Sequence, residues 1–209
     1  YTEKYGEVHP TKAGLKIPEI FDSAINKEVK AVWIIGEDIV QTDPNSQHVI
    51  DAMNSLELLV VQEIFMSETA KLATVVLPGT TFLEKDGTFT NTERRIQRVN
   101  KAVEPLPGTK PDGVIVTDMM QKLGFNQPDY NADEVLAEIA DVVPFFKGVT
   151  RERLGKLGLQ WPVQEDGTDT QILHKETFKL GKGRLKNFDF KESAEIENNK
   201  KDYPLILTT

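Results

Sequence analysis

Three short apolar runs, spaced along the first half of the chain, constrain its fold more than any other feature. The runs Val29–Ile35, Leu58–Val61 and Thr74–Leu77 are rich in Val, Leu and Ile, and a polar or turn-forming segment follows each of them. Runs of this length are typical of strands that are buried on both faces. Helical segments separate the runs, and this alternation predicts a parallel sheet with right-handed crossovers. The expected fold class is therefore α/β, with a Rossmann-like parallel sheet flanked by helices.

Apolar spacing and N-cap residues locate the helices of the first half. The predicted helices are Ile17–Lys27, Pro44–Ser55 and Ser67–Leu72. Asp43 and Ser67 are the expected N-caps of the second and third helices, because their side-chain oxygens can accept hydrogen bonds from the free N–H groups of a first turn.

After Gln97 the pattern changes to helices joined by extended connections. The predicted helices are Asp112–Leu123, a helix that Asn131 caps and that ends at Ala140, and Arg151–Lys156 with Thr150 as its cap. The region from Gln160 to Phe190 is expected to be an irregular C-terminal extension of turns and short strands, with Thr177–Leu180 as one such strand. The charged segment Glu192–Lys201 is expected to be solvated.

Composition excludes several classes of function. The formal net charge of −8 and the pI near 5.0 argue against nucleic acid as a partner. No apolar run approaches the roughly 20 residues of a membrane span, and no signal-peptide pattern opens the chain, so a cytoplasmic location is expected. The chain has no Cys, and its three His residues are scattered, so disulfides, thiolate sites and a zinc or iron site are not expected.

Polar residues follow the first two predicted strands. The turn Gly36-Glu37-Asp38 comes after the first strand, and Gln62-Glu63 comes after the second. Open parallel sheets bind ligands at the carboxyl ends of their strands, where backbone N–H groups can hold a phosphate and a carboxylate can hold ribose hydroxyls. As alternatives, Gly36-Glu37-Asp38 is a plain strand-to-helix turn, and Glu63 is an acidic residue near a helix start, where the helix dipole favours it. The G-x-G-x-x-G fingerprint of NAD sites is absent.

Two further residues have the chemistry of a nucleotide site. Lys85 lies in the charged segment Leu83–Arg95, which is expected to be a long ordered loop, and can donate to a phosphate or a guanine carbonyl oxygen. Asp112 follows Pro111, and its carboxylate matches the adjacent ring N–H and amine of guanine. The alternatives are a surface salt-bridge cluster for Lys85 and an N-cap role for Asp112. Within the loop, Arg94 is expected to pair with a carboxylate and to hold the loop in place.

Six segments together, in this order and spacing, resemble the molybdopterin guanine dinucleotide oxidoreductases, most closely the catalytic (alpha) subunit of formate dehydrogenases. These segments are Trp33–Asp38, Thr42–Asn45, Val61–Ala70, Val76–Pro78, Glu84–Gln97 and Gly158–Pro162. The resemblance covers the chain from about Ile17 to Thr209.

The resemblance implies that this chain is the domain that holds one nucleotide of a bis-molybdopterin guanine dinucleotide cofactor with molybdenum or tungsten. The family's cofactor-binding positions fall here on Gly36, Glu37, Asp38, Gln62, Glu63, Lys85 and Asp112. Glu63 stands where relatives often carry Asp. The metal-binding Cys or selenocysteine, its neighbouring His and the iron–sulfur cysteines of the family belong to upstream domains, so the resemblance implies no catalytic residue in this chain and no activity of the fragment alone.

The parent protein would oxidise formate to carbon dioxide and pass the electrons to iron–sulfur clusters in the missing domains. Its implied partners are those domains of the same chain and electron-transfer subunits, or a ferredoxin- or NAD-linked protein. Two alternatives remain: a pterin-free structural domain, as in the large iron–sulfur subunit of respiratory NADH dehydrogenase, or a nitrate reductase-type member.

The expected domain plan has three parts. Residues 1–16 form a linker from a missing upstream domain, 17–200 form the α/β cofactor-binding domain, and 201–209 form the truncated start of a missing C-terminal domain. Surfaces that pack on missing domains should then be exposed as apolar patches.

Overall fold

The chain is described here by a computed structural model, which describes residues 2–6, 10, 12–192, 201 and 203–205. It divides into two compact units, Tyr1–Gln171 and Ile172–Thr209. The described residues of the second unit form no helix or strand. The strand predicted at Thr177–Leu180 is therefore wrong. Phe178 and Leu180 are 59% and 96% exposed, so this segment buries no face that would stabilise a strand.

The first unit contains all the helices and strands of the described residues. Its α-helices are α1 (Thr2–Tyr5), α2 (Ile17–Ile25), α3 (Ile39–Thr42), α4 (Ser46–Ser55), α5 (Glu68–Lys71), α6 (Asp112–Lys122), α7 (Ala132–Val142) and α8 (Arg151–Leu154). Its strands are β1 (Ala31–Ile35), β2 (Leu58–Glu63), β3 (Val75–Pro78), β4 (Gly87–Thr90), β5 (Arg95–Val99) and β6 (Leu159–Gln160). Short 3₁₀ helices cover Phe82–Glu84 and Pro144–Phe146. Among the described residues, none of the helices has the length and apolar character to cross a bilayer.

The parallel sheet confirms the predicted α/β fold. Strands β1, β2 and β3 lie in that order, and both pairings are parallel. Helices α2, α3, α4 and α5 pack against the sheet through one hydrophobic core, which is formed by Phe21, Ala24, Ile34, Val40, Val49, Ala52, Met53, Leu59, Val61 and Ala70. Burial of apolar faces from both strands and helices stabilises this layer arrangement.

The helix predicted from Pro44 begins two residues later and has a different cap. Helix α4 begins at Ser46, and the side chain of Asn45 accepts a hydrogen bond from the N–H of His48 at 3.4 Å. Asp43 instead follows the unpredicted helix α3, and its carboxylate accepts the N–H of Asn45 at 2.9 Å. Asp43 therefore forms the tight turn between the two helices, and the prediction that it caps α4 was wrong.

The charged segment Leu83–Arg95, predicted to be a long loop, contains a strand and a hairpin turn. Strand β4 pairs antiparallel with β5, and β5 pairs antiparallel with β6 from much later in the chain. The Asn91 side chain shapes the turn by accepting the N–H of Arg95 at 2.9 Å. Arg94 has φ 68° and does hold the segment in place, but it donates to the backbone carbonyls of Trp161, Thr170 and Gln171 instead of pairing with a carboxylate.

The caps predicted for the second half are confirmed for two helices. The Asn131 side chain accepts the N–H of Asp133 at 2.9 Å at the start of α7, and the Thr150 hydroxyl accepts the N–H of Arg153 at 3.3 Å at the start of α8. A second buried cluster joins these helices to the antiparallel sheet, and it consists of Ile96, Leu136, Val149, Leu154 and Val163.

Candidate functional site

The carboxyl edge of the parallel sheet brings together turns from all three strands. Gln62, near the end of the central strand, lies in register with Ile35 of β1 and Leu77 of β3. The N–H of Gly36 donates to the Gln62 carbonyl oxygen at 2.8 Å, and the N–H of Gly79 donates to the Glu63 carbonyl oxygen at 3.0 Å. The turns that follow each strand therefore start side by side at this edge.

Three of the predicted site residues form one hydrogen-bonded cluster at this edge. The amide nitrogen Nε2 of Gln62 donates to Oδ1 of Asp112 at 2.8 Å, and Nζ of Lys85 forms an ion pair with Oδ2 of Asp112. Gln62 is 1% exposed, whereas Lys85 and Asp112 are partly open to solvent. The three residues come from a strand, a connecting segment and a helix that are far apart in sequence.

The environment of Asp112 favours its ionised form. Burial alone would raise the pKa of its carboxyl group, but the hydrogen bonds from Lys85 and Gln62 and the charge of Lys85 together bring the pKa below its ordinary value. Helix α6 begins at Asp112 itself, and the preceding Pro111 occupies the cap position. The carboxylate therefore faces the cluster instead of serving as the N-cap.

Two glycines leave room for this cluster. A Cβ atom at Gly79 would lie 3.2 Å from Oδ1 of Asp112, and a Cβ atom at Gly113 would overlap the ring of Tyr130. The start of α6 can therefore approach both the third strand's turn and Tyr130 closely. The pKa of Tyr130 is raised by burial first, and then by the negative charges of Asp112 and Asp133.

The turn after β1 has two parts with different surroundings. Gly36 adopts φ 62°, and a Cβ atom there would meet nothing within 4 Å, so the backbone is open on that side. The Glu37 carboxylate accepts the Thr42 hydroxyl at 2.6 Å and is exposed. Asp38 is tied inward, because its Oδ1 accepts both the N–H and the hydroxyl of Thr69, at 3.0 and 2.7 Å.

Hydrogen bonding also sets the charge state of Asp38. Partial burial would raise its pKa, but the bonds from Thr69 and Gln41 lower it overall. Among the described residues, no hydrogen bond joins the side chains of Glu37 or Asp38 to Lys85 or Asp112. Gln62, Lys85 and Asp112 therefore contact one another, whereas the turn after β1 forms a separate group of polar residues at the same edge of the sheet.

Glu63 lies between these two groups. Its carboxylate accepts the N–H of the next residue, Ile64, at 2.7 Å, and its side chain is half-buried. This bond orients the carboxylate at the end of β2. Gln62 and Glu63 are predicted to follow the second strand, whereas β2 continues to Glu63, so both residues are the last two of the strand itself.

Sequence reasoning missed Thr80 in the turn after β3 and Tyr130 in the segment before α7. Thr80 is 2% exposed, and its hydroxyl has no partner among the described residues. Oε1 of Gln62 is likewise buried and unpartnered. The turn signal Pro78-Gly79 after the third strand pointed to Thr80, whereas nothing local in the sequence pointed to Tyr130.

No group of three or more His, Cys, Asp or Glu side chains among the described residues is arranged to hold a metal ion. The polar groups of this edge comprise one cation, four carboxylates, one buried amide and an open glycine turn, which are groups that can bind the polar parts of a nucleotide.

Comparison with known proteins gives a consistent result. The chain is 45% identical over 202 residues to the F420-dependent formate dehydrogenase subunit alpha of Methanocaldococcus jannaschii, covering 94% of this chain and 30% of that protein. It is 43% identical over 216 residues to the F420-dependent formate dehydrogenase 1 subunit alpha of Methanococcus maripaludis, covering 99% and 32%. The chain thus spans about a third of the length of these relatives.

A solved structure supports the fold. Acetylene hydratase from Pelobacter acetylenicus superimposes with a TM-score of 0.60 at 22% identity, over 90% of this chain and 28% of that one. The family model described as molybdopterin oxidoreductase matches residues 6–122, a range that includes every predicted site residue. This chain belongs to the molybdopterin oxidoreductase family.

Proposed function

We propose that this chain is the domain that binds the guanine nucleotide end of a molybdopterin guanine dinucleotide in a formate dehydrogenase-type oxidoreductase. The complete protein oxidises formate to carbon dioxide. The identity of 45% and 43% to formate dehydrogenase alpha subunits supports this substrate.

The observation that carries the proposal is the Gln62–Asp112–Lys85 cluster. Guanine presents a ring N–H and an exocyclic amine side by side, with a carbonyl oxygen next to them. The carboxylate of Asp112 can accept from the two donors, and Lys85 can donate to the carbonyl oxygen. Oε1 of Gln62 is a buried acceptor that has no partner in the described part of the chain, which is costly unless a ligand or water supplies a donor. The residues therefore fit the group.

The other site residues have supporting roles. The open backbone at Gly36 suits the approach of a phosphate, and the carboxylates of Glu37 and Glu63 suit hydroxyl groups of the ribose. Asp38 holds the turn through Thr69 and thereby fixes the direction of Gly36 and Glu37. When bound, the cofactor's metal supplies the redox chemistry, while this chain binds and orients the nucleotide.

The wider setting follows from the same proposal. The metal is molybdenum or tungsten, a second pterin nucleotide completes the bis form, and iron–sulfur clusters lie in other domains. The relatives are named as alpha subunits, which supports electron-transfer subunits as partners. The domain plan of 1–16, 17–200 and 201–209 and a cytoplasmic location belong to this proposal too.

Substitutions at Asp112 test the proposal. In the protein produced as its complete reading frame, Asp112→Ala should lower the amounts of GMP and metal that copurify, because guanine loses its acceptor. Asp118→Ala is the matched control, since Asp118 lies on the same helix and pairs with Lys110. Lys85→Met gives an independent variant in case Asp112→Ala folds poorly.

The control should retain the GMP and metal content of the unaltered protein. Equal contents in Asp112→Ala, Lys85→Met and Asp118→Ala would contradict the assignment of the guanine to this cluster.

A further inference from the structure

A cleft of about 440 Å³ lies beside Lys85, outside the sheet edge. Five parts of the chain line it, and they are the segment 84–86, the connection 101–105, the segment 130–133 that leads into α7, Pro111 before α6, and Arg151 of α8. Two of these segments adjoin the nucleotide cluster directly: the first carries Lys85, and the third carries Tyr130, whose ring lies against the start of α6.

Arg151 connects the walls of this cleft. Its Nη1 lies 2.7 Å from Oδ1 of Asp133, and its Nη2 lies 3.3 Å from Oδ1 of Asn100 and 3.7 Å from Oδ1 of Asp86. The arginine side chain is 24% exposed, so these contacts are partly shielded from water. One guanidinium group therefore contacts three separate segments.

The contacts of Arg151 involve segments next to both Lys85 and Asp112. Asp86 follows Lys85 directly, and its carboxylate also accepts the N–H of Lys101 at 3.2 Å. On the other side, Asp133 lies in the first turn of α7, three residues after Tyr130. Because the ring of Tyr130 lies where a Cβ of Gly113 would be, Tyr130 borders the residue next to Asp112.

Charge explains why an arginine is suited to this position. Asp86 and Asp133 both approach the same guanidinium, which balances the like negative charges of these two carboxylates. The planar guanidinium has five donors and can serve several acceptors at once, which a lysine ammonium does less well at fixed geometry.

We propose that Arg151 is a positioning residue for guanine recognition. It fixes the segment that carries Lys85 against the segment that packs on the start of α6, and so sets the spacing between Lys85 and Asp112. This inference rests on the proposed function, because it assigns Arg151 to the geometry of the same site.

The test measures discrimination between bases in the complete, cofactor-free protein. GDP and ADP serve as probes, and calorimetric titration gives the ratio of their affinities. A general loss of structure weakens both probes alike, whereas misplacement of Lys85 and Asp112 weakens GDP selectively. Thermal unfolding of each variant reports stability separately.

Arg151→Met should lower the GDP-over-ADP ratio about three- to tenfold, and Arg151→Lys should lower it less. In a Lys85→Met background, Arg151→Met should cause no further decrease, because the residue through which it acts is gone. Lys147→Met, which breaks the exposed ion pair of Lys147 with Glu165, is the control and should leave the ratio unchanged.

Two results would overturn the inference, and they differ in meaning. If Lys85→Met abolishes discrimination but both Arg151 variants keep it, Arg151 has no positioning role and the proposed function stands. An unaltered protein that binds GDP and ADP equally would contradict the proposed function itself. If Arg151→Met folds poorly, the double variant Arg151→Lys/Asp86→Asn takes its place. A GDP-over-ADP affinity ratio in this double variant equal to that of the unaltered protein would also refute the inference.

Discussion

At the scale of single residues, Asp38 has a structural role through buried Thr69, and its predicted contact with a cofactor stays a prediction. Thr69 is 0% exposed, its hydroxyl accepts the N–H of Val40 at 3.1 Å, and it donates to Asp38. Asp38 therefore satisfies two donors of a buried residue, and links the turn after β1 to helix α5. A carboxylate in this position stabilises the edge that Gly36 and Glu37 belong to.

Asp38→Ala should destabilise the chain by about 1–3 kcal/mol, because the N–H and hydroxyl of Thr69 lose their acceptor inside the protein. Asp38→Asn keeps a carbonyl oxygen and is expected to cost clearly less. Urea unfolding of both variants measures the difference. Equal losses in the two variants would show that the hydrogen bonds to Thr69 are not the source of the effect.

Asp112 gives the stability of the chain a predictable dependence on pH. Its pKa in the folded chain lies below the ordinary value of 3.8, so its ionised form stabilises the fold above that pH. The contribution is lost as the pH falls through the lowered pKa of the folded state. Because the Asp112 side chain is 39% exposed, solvent screening keeps the contribution near or below about 1 kcal/mol.

At about pH 7 the free energy of unfolding of Asp112→Asn should therefore be lower than that of the unaltered chain. This gap between the two free energies should narrow towards about pH 2. Urea titrations at several pH values measure this gap. A gap that stays constant over the whole range would contradict the assignment of the effect to the charge of Asp112.

The sequence predicted the members of the cluster but not the reason they meet. Gln62, Lys85 and Asp112 lie in three separate segments, and it is the resemblance to the family that implies they share one site. Their contact depends on how α6 approaches the third strand's turn, which Gly79 and Gly113 allow. Such close approaches between distant segments leave no periodic pattern in the sequence.

At the scale of elements, the parallel sheet was predictable because each of its strands is a local apolar run next to a helix. The antiparallel sheet was not, because its strands are short, none of them is a continuous apolar run, and its third strand, β6, comes from Leu159–Gln160. Its stability depends on long-range contacts such as the donation from Nε2 of Gln160 to the carbonyl oxygen of Glu93 at 3.0 Å.

Gly113→Ala tests how tightly α6 is held. Alanine favours a helix interior over glycine by about 1 kcal/mol, but here its Cβ overlaps the ring of Tyr130, and overpacking costs about 1–3 kcal/mol. The overlap should prevail, so the substitution should destabilise the chain in urea unfolding.

In a Tyr130→Leu background, Gly113→Ala should be neutral or stabilising relative to Tyr130→Leu alone. The smaller leucine side chain removes the overlap, and the helix preference of alanine remains. A loss of the same size in both backgrounds would mean that Tyr130 does not set the packing limit at Gly113.

At the scale of the whole molecule, several large apolar side chains are exposed. Phe65 and Met66, after the central strand, are 75% and 63% exposed, and Phe188 and Phe190 of the second unit are 87% and 89% exposed. Exposed apolar side chains in groups are typical of surfaces that bind other protein segments. The chain spans about a third of its relatives, and coverage of these side chains by other domains stays a prediction.

The cofactor content of the complete protein decides whether this domain binds a molybdopterin guanine dinucleotide. The complete reading frame would be expressed without oxygen, and the purified protein would be assayed for metal and for GMP released by acid hydrolysis. We expect molybdenum or tungsten together with GMP, after which a formate assay tests the substrate. A folded protein that contains neither metal nor GMP would contradict the proposed cofactor and favour a pterin-free structural domain.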